Sequence, residues 1–408
     1  MKRFAIIGTA LSGNKGAAGM AIALIQNLSR LHPGARFSLL SYFPKSDRRL
    51  NHYPGVEIVS ATPLALLCCF PLAAVAFLLR VCSLPLGPLR RIPTLRAIVE
   101  CDLYLEAAGV SFVDGREKFL PLNVLWILLP LALGKRIIKV SQALGPFNNP
   151  INRTLAKILL PRVDLIGARG AKTADHLRSL GLTNFAIYPD VAFTLQLDDV
   201  RQEVLDRYVF PKSPKGVIGV SPSQVVYGKC LRRKIDYVRI IAAFIDRLVS
   251  EDYTVVLLPH SAREGTLKTR NNDLPISQII FSRLAHPEKV AFVREELTPS
   301  ELRVLIGRLD FLVASRFHAM ISALAMNVPM LVFGWSHKYS EVLEGFNMQS
   351  AAFDYKDMTL STVYHIFQEQ YTKIPKTTEF LKDKLTLLNM HAADFYDTLL
   401  SHKNHTIS

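Results

Sequence analysis

The sequence predicts an α/β protein of two domains, each a parallel sheet covered by helices on both faces. Three observations carry this. In the first half, short apolar runs rich in Val, Ile, Leu and Phe alternate with stretches of helical length. A polar segment rich in Asp, Arg and Pro, residues 198–215, then breaks the alternation. A second series of the same kind follows it. Two Rossmann-like halves facing across a cleft form the simplest architecture that fits.

In chain order, strands are expected at Phe4–Thr9, Ala35–Tyr42, Val56–Val59, Leu103–Glu106, Arg136–Ser141, Asp164–Ala168 and Phe185–Tyr188. Helices are expected at Ala17–Leu31, Phe119–Leu133 and Asn152–Leu160. The second series reads strand Gly216–Val220, helix Lys234–Ser250, strand Thr254–Leu258, helix Ile276–Ala285, strand Lys289–Val293 and helix Ser300–Gly307. The expected domains are therefore 1–197 and 216–360, joined by the linker 198–215. Helices over 361–408 are expected to pack back across the junction.

The most informative stretch runs from Leu309 to Leu343. A β-rich run, Phe311–Ala314, ends at Ser315, a helical pattern starts within a few residues, and a second strand, Pro329–Phe333, follows. If Ser315 to His318 is extended, Arg316 and His318 point to one side. The free N–H groups and dipole of the helix start add to a site suited to a phosphate or carboxylate, with Lys338 as a third cation.

At 408 residues the chain has ample length for two cores, and 50% hydrophobic with 20% charged residues marks it as globular. Lys and Arg total 49 against 34 acidic residues, a formal net charge of +15. That balance suits an anionic partner: nucleic acid, anionic lipid or an anionic small substrate. The basic residues are scattered in ones and twos, and neither an aromatic RNA-binding motif nor zinc-finger spacing occurs, which argues against nucleic acid. Five cysteines without a C-x-x-C point to a reduced, intracellular protein with no disulfide frame and no structural zinc. The N-terminal apolar run is too short for a signal peptide and breaks at Ser12-Gly13-Asn14-Lys15-Gly16, which reads as a strand followed by a Gly-rich turn.

Pro63 to Leu79 carries no charge and is followed by Arg80, Arg90, Arg91 and Arg96. Its length approaches that of a membrane span, but Pro71 sits in its middle, and one crossing would split an α/β domain across the bilayer. The segment 63–90 is therefore expected to associate with one leaflet, its arginines at the headgroups of the cytoplasmic face. A buried helix hairpin is the alternative.

Six further segments lie at expected carboxyl ends of strands, where doubly wound sheets bind ligands. They are Gly8 with Ser12–Gly16, Ala107-Ala108-Gly109, the run Ser141 to Phe147, Arg169, Pro189-Asp190, and Pro259-His260. Taken in order, these segments resemble the polysaccharide pyruvyl transferase family. The strongest matches are Gln142 to Phe147, Leu258-Pro259-His260 and Ser315-Arg316-Phe317-His318-Ala319. Asn14-Lys15-Gly16, Arg169 with Thr173 and Leu177, and Asp190 with Ala192-Phe193 match more loosely. Departures from the family pattern occur at Ala17 and Ala18, at Ala107-Ala108-Gly109 in place of three glycines, at Gly170 in place of Asp, and at Val191 in place of Pro.

The resemblance implies a fold like that of the GT-B glycosyltransferases. It also implies transfer of a pyruvyl group from phosphoenolpyruvate to two hydroxyls of a sugar, forming a ketal in surface polysaccharide synthesis; membrane attachment through 63–79 fits an acceptor that is a lipid-linked oligosaccharide. Arg316 and His318 map onto the family's donor-binding element, with Arg169 beside them. A donor bearing both carboxylate and phosphate needs several cations, for which Arg316, Arg169, Lys338 and Lys15 are the supply. Asn14, Gln142 and Asp190 are further substrate-binding candidates. A group titrating near neutrality suits the proton transfers, which makes His318 or His260 the acid/base. No cofactor beyond the donor, and no metal, is demanded. Two rivals stand beside this reading: a sugar-nucleotide-dependent glycosyltransferase of the same shape, and a non-catalytic, membrane-peripheral scaffold of polysaccharide assembly.

Overall fold

The computed structural model describes residues 1–263, 272–334 and 337–401. The chain divides into two compact units. The first holds Met1–Ser12, Ala17–Leu195 and the chain from Met390 onward; the second holds Gly13–Gly16 and Gln196–Asn389.

The first unit is built on seven strands: β1 (Arg3–Ile7), β2 (Arg36–Ser41), β3 (Val56–Ser60), β4 (Leu103–Glu106), β5 (Ile137–Gln142), β6 (Leu165–Ala168) and β7 (Phe185–Ile187). All pair in parallel, in the order β3-β2-β1-β4-β5-β6-β7. The central strands β4, β5 and β6 are buried along their whole length, as a sheet covered on both faces requires. The strand order reverses between β1 and β4. There Gly8 leaves β1 at φ +82°, and a Cβ on it would lie 2.8 Å from the backbone nitrogen of Ala108. Only glycine fits that close turn.

The apolar segment forms one helix, Pro63–Val81. Thr62 caps it, its hydroxyl accepting from Ala65 N at 3.3 Å, and Pro63 occupies the first turn, where its missing N–H costs nothing. Leu66, Cys69, Ala73 and Ala76 form its narrow buried face. The Arg80 guanidinium donates to Leu131 O at 3.1 Å, tying the helix end to the helix Leu120–Ala132.

The second unit carries six strands: β8 (Val217–Ser221), β9 (Thr254–Leu257), β10 (Val290–Phe292), β11 (Phe311–Ala314), β12 (Met330–Gly334) and β13 (Ala352–Asp354). These too are parallel, in the order β10-β9-β8-β11-β12-β13, with the reversal between β8 and β11. The amphipathic helix Tyr237–Ser250 buries Ile241, Phe244, Ile245 and Leu248 against the sheet. A capping box starts the helix Pro299–Gly307: Thr298 Oγ1 accepts from Glu301 N at 3.2 Å, and the Glu301 carboxylate accepts from Thr298 N at 2.8 Å.

Residues 198–215 include the one-turn helix Gln202–Leu205, with Val204 and Leu205 buried. Arg201 beside it holds Glu301 through two hydrogen bonds, of 2.6 and 2.9 Å. The helix Leu360–Tyr371 sets Val363 and Phe367 into the second core. The final helix, Ile374–Ser401, belongs to the first unit from Met390 onward, and within that unit Phe395 meets Tyr188 edge-on at 4.9 Å and Tyr396 Oη lies 3.0 Å from Thr194 Oγ1.

Candidate active site

The carboxyl ends of β8, β9, β10 and β11 collect the polar side chains of the second unit. β11 ends at Ala314, and Ser315 and Arg316 follow it. Arg316 has extended backbone (φ −112°, ψ 134°) and serves as the N-cap residue of the helix Phe317–Ala325. The expectation of an extended run through His318 is corrected here. The helix begins at Phe317, two residues sooner than such a run would allow, because the largely apolar stretch Phe317 to Leu324 already follows the helical period. His318 therefore stands in the first helical turn instead of alternating with Arg316 along a strand.

Arg316 meets Asp273 side on: Nε donates to Oδ2 at 2.7 Å and a terminal nitrogen donates to Oδ1 at 2.6 Å. Asp273 is wholly buried and Arg316 only 14% exposed. The carboxylate also accepts from Gln224 N at 2.9 Å and Ser261 N at 3.1 Å. Burial works against the Arg316 charge, but the paired carboxylate more than offsets it and raises its pKa. Two of the five guanidinium N–H donors go to Asp273, so three directions are not spent on that carboxylate.

His260 follows β9 and is 4% exposed. Its pKa is driven well below the ordinary imidazole value, first by burial and then by the cationic surroundings: His318, Arg316, Arg303 and Lys15. The ring is consequently neutral at pH 7. Ser221, at the end of β8, and Ser261, beside His260, bury hydroxyls that have no hydrogen-bond partner among the described residues. Buried hydroxyls are ordinarily satisfied, so both are groups a bound ligand can complete. Ser315 Oγ pairs with Tyr237 Oη at 3.2 Å, and Tyr237 Oη in turn accepts from Ser223 N at 3.1 Å.

The segment Gly13–Gly16, whose last two residues open the helix Lys15–Leu31, also belongs to this unit. Asn14 Oδ1 accepts from Gly16 N at 3.1 Å, and Lys15, 3% exposed, pairs with Glu296 at 2.8 Å. A Cβ on Gly16 would collide with the His318 ring. Lys338 is outside the residues whose side chains are described. Among the described residues, no group of three or more His, Cys, Asp or Glu is placed to hold a metal.

The other candidates lie in the first unit, in a buried polar layer at its own strand ends. Arg169 donates to Ser141 O at 3.1 and 2.9 Å and pairs with Asp190 at 3.3 Å, both side chains almost fully buried. Asp190 Oδ1 also accepts from Ala192 N at 2.9 Å. Gln142 Nε2 donates to Glu106 O at 2.8 Å, and Ser111 Oγ donates to Gln142 Oε1 at 2.5 Å. Glu106 forms a close ion pair with Lys139, its cross-strand neighbour, and both are inaccessible to solvent. Of the sequence candidates, the second unit thus brings together Arg316, His318, His260 and Lys15, while the first holds Arg169, Gln142 and Asp190 in internal bonds.

Five residues of these sites escaped the sequence reading. Asp273, Glu296 and Arg303 gave no motif signal, although an Asp two residues before Pro275 is an available helix-start cue. Glu106 lay in an expected strand, and Lys139 interrupts another that is otherwise apolar through Val140; opposite charges in two adjacent buried strands are a readable sign of a pair.

Comparison with known proteins agrees with the reading of the motifs. A relative, the amylovoran biosynthesis protein AmsJ of Erwinia amylovora, is 19% identical over 301 residues, covering 70% of this chain and 71% of that protein. Two solved structures share the fold. The S. aureus MnaA–UDP co-structure superposes with a TM-score of 0.57 at 14% identity, over 100% of both chains. The UDP-GlcNAc 2-epimerase of Neisseria meningitidis, bound to UDP-GlcNAc, gives 0.58 at 12% identity, over 98% of this chain and 100% of its own. The two parallel sheets are thus those of a GT-B-like α/β protein. The family model for polysaccharide pyruvyl transferase matches residues 14–337, from the Asn14 turn through the Arg316–His318 element, and the chain belongs to that family.

Proposed function

We propose that the strand-end site of the second unit binds phosphoenolpyruvate and that the protein transfers its pyruvyl group to two hydroxyls of a sugar, forming a ketal in the synthesis of an exopolysaccharide. One observation carries the donor assignment: Arg316, which follows β11 at the reversal of strand order, acts together with His318, Arg303 and Lys15 on the buried, neutral His260 after the neighbouring β9. A buried concentration of positive charge is stable only with anions to face it. Asp273 and Glu296 supply part of that charge, and a ligand with a phosphate and a carboxylate supplies the rest. The polysaccharide acceptor follows from the family and from the amylovoran role given for AmsJ.

The reaction adds a proton to the methylene carbon of the donor, and a sugar hydroxyl attacks the adjacent carbon. Phosphate then departs with cleavage of its bond to that carbon, and a second hydroxyl replaces it. Two hydroxyl protons are lost, one balancing the new methyl group and one the released phosphate. Neutral His260 accepts a hydroxyl proton, and His318, in the first turn of its helix, protonates the methylene carbon. Arg316 holds the phosphate through the donors not committed to Asp273, where its charge gains in strength as the phosphate leaves. Arg169 is a positioning residue that fixes the carboxyl end of β5 through the Ser141 carbonyl.

The test is a double-label incubation with membranes and glycans of the source cell. Carbon label from phosphoenolpyruvate should enter the glycan fraction, while phosphorus label appears as inorganic phosphate. Incorporation from a labelled uridine diphosphate sugar, with none from phosphoenolpyruvate, would replace this reading by glycosyl transfer.

A further inference from the structure

We propose that the helix Pro63–Val81 is a docking surface for an anionic lipid bilayer, lying in the interface without crossing it. Among the described residues this helix is long and apolar enough to span a membrane, with a mean hydropathy of 2.4 over its best 18 residues and only 22% of that window buried. Leu64 is 70% exposed, Leu67 60%, Leu78 61% and Val81 64%. With Pro71 and Ala74 they recur every three to four residues and form one stripe opposite the buried Leu66–Cys69–Ala73–Ala76 face. Phe70, Val75, Phe77 and Leu84 widen the stripe into a patch.

Topology excludes a crossing. β3 ends at Ser60 before the helix and β4 begins at Leu103 after it, and both strands belong to the same sheet. Both ends of the segment therefore stay on one side of the membrane, which leaves partial insertion of the exposed face.

Charge decides what covers the patch. No acidic residue occurs between Glu57 and Glu100, whereas Arg80, Arg90, Arg91 and Arg96 all do. Arg90 and Arg91, exposed at the end of the turn Gly87–Arg91 after the helix, form no ion pair among the described residues. In a two-fold dimer the patch would face its own copy, bringing Arg90 and Arg91 against the same two arginines, while Glu57 is already paired with Arg96 at 3.1 Å. A surface of anionic headgroups has the complementary charge and accepts the apolar stripe below it. The function that follows is delivery: a glycan acceptor carried on a lipid lies in the surface this helix occupies. That last step rests on the proposed pyruvyl transfer; the docking itself does not.

The full chain should float with phosphatidylcholine vesicles containing phosphatidylglycerol, bind far less to phosphatidylcholine alone, and be released by salt. Leu67→Glu with Leu78→Glu should weaken binding roughly a hundredfold, about tenfold per side chain, with unchanged circular dichroism. Arg90→Glu with Arg91→Glu should remove the preference for phosphatidylglycerol. Phe70→Trp should shift its emission to the blue on vesicles and be quenched by brominated lipid. Arg316→Ala should bind vesicles as the parent does, so loss of donor binding and loss of docking are separable. The proposal is overturned if the parent chain stays soluble beside anionic vesicles, if the Leu67/Leu78 variant floats undiminished, or if the patch instead mediates a dimer that the same variant dissolves.

Discussion

Arg316 and Asp273, 43 residues apart in sequence, form a two-point ion pair of 2.7 and 2.6 Å at the end of β11. The pair fixes the plane of the guanidinium and leaves its other edge for a ligand. Asp273→Ala strands a buried cation, and Arg316→Ala strands a buried carboxylate. Each should cost about 3–5 kcal/mol in urea unfolding. Arg316→Lys should recover part of that stability but not the donor affinity, since an ammonium cannot make the two-point contact.

His260 sets a pH dependence whose sign follows from its lowered pKa. The folded ring is neutral, while the unfolded ring takes up a proton below about pH 6.5. Stability from this group is therefore full above that value and lost as pH falls toward the folded pKa, by up to about 1.4 kcal/mol per pH unit. Urea denaturation at pH 5.5 and 7.5 should show the loss in the parent chain and a smaller one in His260→Gln.

Gly16 and His318 touch so closely that a single methyl group at position 16 must displace the ring. Gly16→Ala should lower kcat by roughly tenfold to a hundredfold, since small displacements of a reacting group carry penalties of that order. Its Tm should change little, because the ring can swing aside.

Lys139 and Glu106 form a fully buried pair across β5 and β4. Burial lowers the Lys139 pKa, and Glu106 opposes that shift. Lys139→Met alone should destabilise by about 3–5 kcal/mol, and the double variant with Glu106→Gln by clearly less, because the single change leaves one charge unpaired. Chemical denaturation of the three variants measures the coupling.

Much of the fold was legible because buried parallel strands write themselves as short apolar runs. Phe311–Ala314 is found with the expected bounds, and Leu103–Glu106 likewise. β13 went unseen: it is three partly buried residues at a sheet edge, too short for a period to register. The helices Pro44–Leu50 and Gln224–Arg232 were missed for a related reason, since each buries only one or two side chains. Within the site, Arg316, His318 and His260 could be named because they follow strands. Asp273 could not, because its role depends on a partner brought to it by the sheet. Nor could the sequence tell that Arg169 is committed to Asp190 and Ser141, or that Lys15 meets Glu296. Residue type and strand-end position foretell that a cation is present, but its counter-charge is set by tertiary packing.

The donor and its site are tested most directly by calorimetric titration of the full chain with phosphoenolpyruvate, run in parallel on Arg316→Ala and repeated with uridine diphosphate. Saturable binding of phosphoenolpyruvate that falls at least tenfold in Arg316→Ala, with uridine diphosphate failing to compete, is the predicted result. Tight binding of uridine diphosphate with no heat from phosphoenolpyruvate would contradict it.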